Sequence, residues 1–155
     1  MEKWHFWRNR NKIDETEKRK LRFLYHQSGI EQRYSAIPDF DQLKEQAELF
    51  VREGTNISDP LLEARMKIFD KVALELALEA TEKCLKGILE KDKITHLITV
   101  SCTGMSAPGL DLQLMEAMSL NKNIFRTSVN FMGCYAAIHA LKMADMICQS
   151  AVTAN

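Results

Sequence analysis

The chain has 155 residues, 46% of them hydrophobic and 27% charged, with 21 basic residues against 21 acidic ones. That length and composition suit one compact globular domain, and the balanced charge removes the broad basic footprint by which a protein holds nucleic acid. No apolar run is long enough to span a membrane and the opening stretch Met1-Glu2-Lys3-Trp4-His5-Phe6-Trp7-Arg8 lacks a signal peptide's apolar core, so a cytoplasmic protein with no membrane partner is expected.

Residues 1–11 are aromatic and basic without periodicity. Asp14 is placed to cap a helix running to about Gln27, with Glu17 three residues later in a box-like pattern. Leu21, Leu24 and Tyr25 make a narrow apolar face, while Lys18 and Arg22 stand one turn apart on another. The run Lys18-Arg19-Lys20-Leu21-Arg22 reads either as a solvated helix face or as a targeting signal. Ser28-Gly29 breaks this helix. Residues 30–40 then read as an extended connection, with Pro38 disfavouring helix just before it. A short helix is predicted over residues 41–52 through Leu43, Ala47 and Phe50, ended by Gly54-Thr55-Asn56.

The longest predicted helix has Asp59 as cap and Pro60 at the first helical position. Leu62, Met66, Phe69, Ala73, Leu76, Ala80, Cys84 and Ile88 recur along it at three- and four-residue spacing. Such a stripe is core packing. Lys91-Asp92-Lys93 is a polar turn, and residues 94–102 form a nearly continuous apolar run that suits a strand buried on both faces. Thr103-Gly104 opens a loop through Pro108-Gly109, and residues 110–120 are helical again, with Leu114, Met115 and Met118 apolar. Asn121-Lys122-Asn123 turns the chain into a strand over residues 124–130. This order of strand, helix, strand and helix predicts an α/β fold with right-handed crossovers and a mainly parallel sheet. The final helix, over residues 135–149, is apolar nearly all round and is predicted to be buried.

The four cysteines, Cys84, Cys102, Cys134 and Cys148, include no Cys-x-x-Cys pair and no histidine at ligand spacing. They are expected to be free thiols, with no metal site. Cys134 follows Gly133 where a β-rich run gives way to the last helix. The open N–H groups and dipole of a helix N-terminus favour negative charge and lower a thiol's pKa, which is where an acyl-transfer enzyme places its nucleophile. A small, inert core cysteine fits the local pattern as well. His139, five residues on, is about one and a half turns away and reads as a helix residue with a local partner, not a catalytic base.

A longer resemblance turns the balance. Residues 94–111, with Cys102-Thr103-Gly104 and Pro108-Gly109-Leu110-Asp111, followed by Gly133-Cys134-Tyr135-Ala136, resemble type III polyketide synthases, the chalcone and stilbene synthase family. Residues 20–34, including Ser28-Gly29-Ile30 and Arg33-Tyr34, are similar too, and the likeness extends from about Glu17 to the C-terminus.

The resemblance implies the N-terminal half, residues 1–155, of a thiolase-like fold, with a buried helix after the nucleophile and a second half built on the same plan. The family's first strand, near the N-terminus, has no counterpart here either. It implies an acyltransferase with Cys134 as the catalytic nucleophile and acyl-CoA and malonyl-CoA as substrates, without a bound cofactor. Cys102 and Thr103 match positions lining the acyl cavity, although a strand end packed in the core explains them equally. Lys18 and Arg22 match basic residues that meet coenzyme A phosphates, while Glu15 stands where another base is expected. Ala107 replaces a bulkier residue that crosses the homodimer interface, which places the loop closer to the bacterial branch. The family's histidine and asparagine, which stabilise the enolate, fall in the second half, so the chain is expected to be truncated and inactive alone. Two other readings stay open: a ketoacyl synthase fed by acyl carrier protein, and a noncatalytic dimerisation module.

Overall fold

The computed structural model describes residues 14–32, 34–40, 49–50, 52–53, 56–57 and 60–150. The chain divides into two compact units, Met1–Ala64 and Arg65–Asn155.

In the first unit, helix α1 spans Glu15–Gln27. Its start is set by Asp14, whose backbone is extended and whose carboxylate accepts the Glu17 N–H at 2.7 Å, satisfying one of the open donors of the first turn. At the other end the Ser28 N–H closes onto the Leu24 carbonyl, and Gly29 adopts a left-handed φ of 65°. None of α1 is buried. Residues 30–40 end in a short 3-10 turn, Pro38–Phe40, where the Asp39 carboxylate accepts the N–H groups of Leu49 and Phe50 at 2.9 and 2.6 Å. Of the helix expected over residues 41–52, residues 41–48 and 51 lie outside the described residues. Arg52 is not helical: β1 (Arg52–Glu53) pairs antiparallel with β2 (Asn56–Ile57). Residues 1–11 and Asp59 also lie outside the described residues.

The second unit contains α2 (Leu62–Leu85) from Arg65 onward, then β3 (His96–Ser101), α3 (Leu110–Ala117), β4 (Phe125–Asn130) and α4 (Tyr135–Ser150). Helix α2 starts two residues after Pro60 and stops three residues short of Ile88. It stops because Gly87 takes a left-handed φ of 73° and the N–H groups of Ile88 and Leu89 both turn back to the Leu85 carbonyl.

Strands β3 and β4 pair in parallel, His96 against Phe125 through Ser101 against Asn130. Strand alternation sorts their side chains onto two faces. Leu97 shares one face with Arg126 and joins Leu114, Met115, Met118, Leu120 and Ile124, with Leu74, Leu78 and Leu85 of α2 against them. On the opposite face Ile98 and Val129 pack with Ala136, Ala140 and Met143 of α4. The two helices α3 and α4 thus cover opposite sides of one parallel strand pair. The architecture is α/β, as the order of elements predicts.

Two burial expectations are corrected. Strand β3 is not buried on both faces: its residues are partly buried and Val100 is exposed. Helix α4 buries only Ala136 and Ala140, while Ile138, Leu141 and Met146 are exposed, Leu141 at 67%. An α-helix meets one layer along one stripe. The described residues lay a sheet against one side of α4, and the small alanines there let its backbone approach closely. The apolar side chains on its remaining circumference stay in solvent.

Candidate active site

The candidate residues of the second unit lie beyond the C-terminal ends of β3 and β4, the end of a parallel sheet where ligands commonly bind. Cys102 and Thr103 follow the last β3 residue, Ser101, and Phe131 follows the last β4 residue, Asn130. The Phe131 N–H donates to the Cys102 carbonyl at 3.1 Å, so the two loops stay joined one step past the ladder. From Phe131 the chain turns through Met132, Gly133 and Cys134 into α4.

That turn demands unusual backbone. Gly133 has φ 64° and Phe131 has φ 60°. For glycine this region is free of steric cost, whereas for a bulky residue such as Phe131 it costs on the order of 1 kcal/mol. Strain of this kind persists where the surroundings hold it, and functional sites are enriched in it. The Ala136 N–H bonds to the Gly133 carbonyl at 3.1 Å, which winds the first turn of α4 immediately after Cys134. Cys134 is exposed, which sets aside the buried core cysteine as its reading. Cys84, Cys102 and Cys148 are exposed free thiols as well, so accessibility does not single out Cys134. Its place at the mouth of a 16-residue helix does.

The loop from Cys102 to α3 is held by side chains that sequence patterning did not single out. The Gln113 amide donates to Ser106 Oγ at 3.0 Å and to the Pro108 carbonyl at 2.7 Å. The Phe69 ring packs so closely on Gly104 that a Cβ there would overlap it. Asp111, in the first turn of α3, accepts from Arg126 of β4 at 2.6 Å. Gln113 binds residues seven and five positions upstream, a spacing with no periodic signature. Asp111 was visible within the Pro-Gly-Leu-Asp stretch, but its partner was not. A cleft of about 80 Å³ lies on the α3 face, lined by Phe69, Thr99, Ser101, Ser106, Ser128 and Asn130 among others. Thr99 and Ser128 hydroxyls meet there at 3.1 Å. Neither Cys102 nor Cys134 lines it.

In the first unit, Lys18 and Arg22 lie on α1 as expected, but Lys18 is engaged. Its ammonium donates to the Glu15 carboxylate at 2.6 Å. The hydrogen bond and charge of Lys18, and more weakly the charge of Arg22, hold the Glu15 carboxyl below the usual carboxylate range. Among the described residues no group of three or more histidine, cysteine or acidic side chains is arranged to hold a metal ion, and no helix is long and apolar enough to cross a membrane.

A parallel strand pair with helices on both sides and a cysteine at the strand-to-helix turn is an α/β arrangement; the family and the solved structure that it matches make it of the thiolase-like kind. The comparisons assign the family within it. The model of the chalcone and stilbene synthase N-terminal domain matches residues 4–154, and the chain belongs to that family. It is 32% identical over 133 residues to the alpha-pyrone synthesis polyketide synthase-like Pks18 of Mycobacterium tuberculosis, covering 85% of this chain and 32% of that protein. It is also 32% identical over 148 residues to type III polyketide synthase 10 of Oryza sativa subsp. japonica, covering 94% of this chain and 35% of that protein. Among solved structures, PKS-I from the brown alga Ectocarpus siliculosus superposes with a TM-score of 0.68 at 30% identity, over 89% of this chain and 37% of that one. The chain thus spans about a third of the length of each of these three relatives.

Proposed function

We propose that this chain is the nucleophile-bearing part of a type III polyketide synthase, an acyltransferase that builds polyketides from CoA thioesters on Cys134. The observation that carries the reading is an exposed thiol at the mouth of α4, three residues after Phe131, whose N–H is bonded to Cys102, in a chain of the chalcone and stilbene synthase family. In loading, the Cys134 sulfur adds to the thioester carbonyl of a starter acyl-CoA. The tetrahedral oxyanion collapses, the carbon–sulfur bond to CoA breaks, and the CoA thiolate leaves and takes up the proton. Negative charge develops beside the N-terminus of α4, whose open N–H groups and dipole favour it. In extension, malonyl-CoA loses CO2, the resulting enolate carbon attacks the Cys134 thioester, and the Cys134 sulfur leaves. Cys102 and Thr103 then border the acyl group.

Lys18 and Arg22 would meet the CoA phosphates, with Glu15 competing for Lys18. The enolate is stabilised in the resembling enzymes by a histidine and an asparagine that the resemblance places beyond residues 1–155. On this reading residues 1–155 do not perform condensation by themselves. The working protein is a cytoplasmic homodimer, and the exposed Ile138, Leu141 and Met146 of α4 form apolar surface available for assembly.

The test uses protein expressed from the complete natural reading frame. Incubation with a starter acyl-CoA should add one acyl mass to the Cys134 peptide, and Cys134→Ala should abolish both that adduct and condensation with malonyl-CoA. Acylation from acyl carrier protein but not from CoA would move the assignment to a ketoacyl synthase. A wild-type protein that takes an acyl group from neither donor would leave the dimerisation module as the function.

A further inference from the structure

We infer that Gln113 is a positioning residue for the loop between β3 and α3, and through that loop for the depth of the acyl site; the inference deepens the acyl-transfer reading and rests on it. The loop leaves β3 at Cys102, which is fixed to Phe131 by the 3.1 Å bond between strand ends. It is pinned again at Gly104 by the Phe69 ring. Its far end is held by Gln113. A primary amide has two donor hydrogens, and Gln113 directs its nitrogen at two acceptors on this one loop, Ser106 Oγ at 3.0 Å and the Pro108 carbonyl at 2.7 Å.

The base of the latch is firm. Gln113 sits in α3 next to Leu114 and Met115, both buried in the core, and the first turn of the same helix is tied to β4 through Asp111 and Arg126. The far end of the loop, at Ser106 and Pro108, therefore takes its position from the core by way of the Gln113 side chain. The residues it carries, Thr103, Met105 and Ala107, are all exposed, so a shift of the loop redirects them without first opening the core. Thr103 is the loop residue that the acyl-transfer reading sets at the cavity wall, and Ala107 stands where that reading has a residue cross the homodimer interface. Cys134 belongs to the other turn. Loss of the latch should therefore alter how far a growing chain extends and leave the loading of Cys134 intact.

The experiment compares wild type with Gln113→Met, which keeps the length and removes both donors, and with Ser106→Ala, which removes one acceptor and leaves the Pro108 bond. All are expressed from the complete natural reading frame. Amide exchange at residues 104–107 should quicken about tenfold in Gln113→Met and less in Ser106→Ala. Iodoacetamide labelling of Cys102 should change about threefold or more in Gln113→Met while that of Cys134 stays level, a split that general loosening does not produce. With a fixed starter and malonyl-CoA, the product distribution should shift in length while the acyl-loading rate of Cys134 is unchanged. Unchanged exchange, or equal changes at Cys102 and Cys134, overturns the latch. A loosened loop with an unchanged product distribution overturns its role in the site. Wild-type protein that never acylates at Cys134 instead brings down the acyl-transfer reading, an outcome that the exchange and labelling data separate from failure of the latch.

Discussion

The peptide N–H of Phe131 donates to the carbonyl of Cys102 over 3.1 Å, one step beyond Ser101 and Asn130, the last paired residues of β3 and β4. This single bond extends the parallel ladder into the two loops that carry the candidate chemistry. It holds the Cys102-Thr103 strand end beside the left-handed turn at Phe131, from which Gly133 and Cys134 lead into α4. The proximity of the two loops is a product of strand register, not of local sequence.

Cys134 should be the most reactive of the four thiols. All four are exposed, so the difference tests position at the helix mouth and not access. Brief iodoacetamide treatment followed by peptide mapping should recover the Cys134 adduct first. Preferential labelling of Cys84 or Cys148 would contradict the nucleophile assignment.

Gly133→Ala should destabilise the protein by about 1 kcal/mol through backbone conformation alone. Its φ is 64°, yet a Cβ there would meet no atom within 4 Å. Chemical denaturation should report the loss. A neutral outcome would show that the turn relaxes, in which case Cys134 labelling should slow in parallel.

Ala136→Leu should cost about 1–3 kcal/mol, the usual penalty for overpacking. Ala136 is 0% exposed and packs with Val129 and Ile98 where α4 approaches the sheet. Leu141→Ala, on the exposed side of the same helix, should leave monomer stability within about 0.5 kcal/mol. Comparable losses at both positions in thermal melts would mean that α4 is covered all round in solution.

Arg126 and Asp111 should couple by about 1 kcal/mol in a double-mutant cycle built from Arg126→Gln and Asp111→Asn. Their contact of 2.6 Å is partly sheltered, with the Asp111 side chain 15% exposed. The coupling should weaken with added salt. A value near zero at low salt would show that α3 is held by its apolar contacts alone.

Glu15 should titrate below the usual carboxylate range, because its hydrogen bond and charge contact with Lys18 favour the ionised form. A folded-state pKa depressed in this way contributes stability above the unfolded carboxylate value, and the contribution is lost as pH falls through the folded value. NMR titration of the side-chain carboxyl should show the shift, and Lys18→Ala should remove most of it, leaving the weaker effect of Arg22. On the proposed function, Glu15→Gln should also tighten CoA binding by releasing Lys18.

Much of the fold was legible because its signals are local. The cap at Asp14, the break at Ser28-Gly29, the alternation of strands and helices, and the glycine before Cys134 each depend on residues within a turn of one another. The family could be read for the same reason, since its motifs are short runs at the strand ends, and the matched family domain then covered residues 4–154. Arg52 was misread because a pairing with Ile57 outweighed the helical pattern around it. The burial of α4 was misread because periodicity reports which side chains are apolar, not how many layers cover them. Only the tertiary structure joined Cys102 to Phe131, Arg126 to Asp111, and Gln113 to Ser106 and Pro108. Those contacts arise from strand register and from the path of a loop, and neither leaves a period in the sequence that a reader can count.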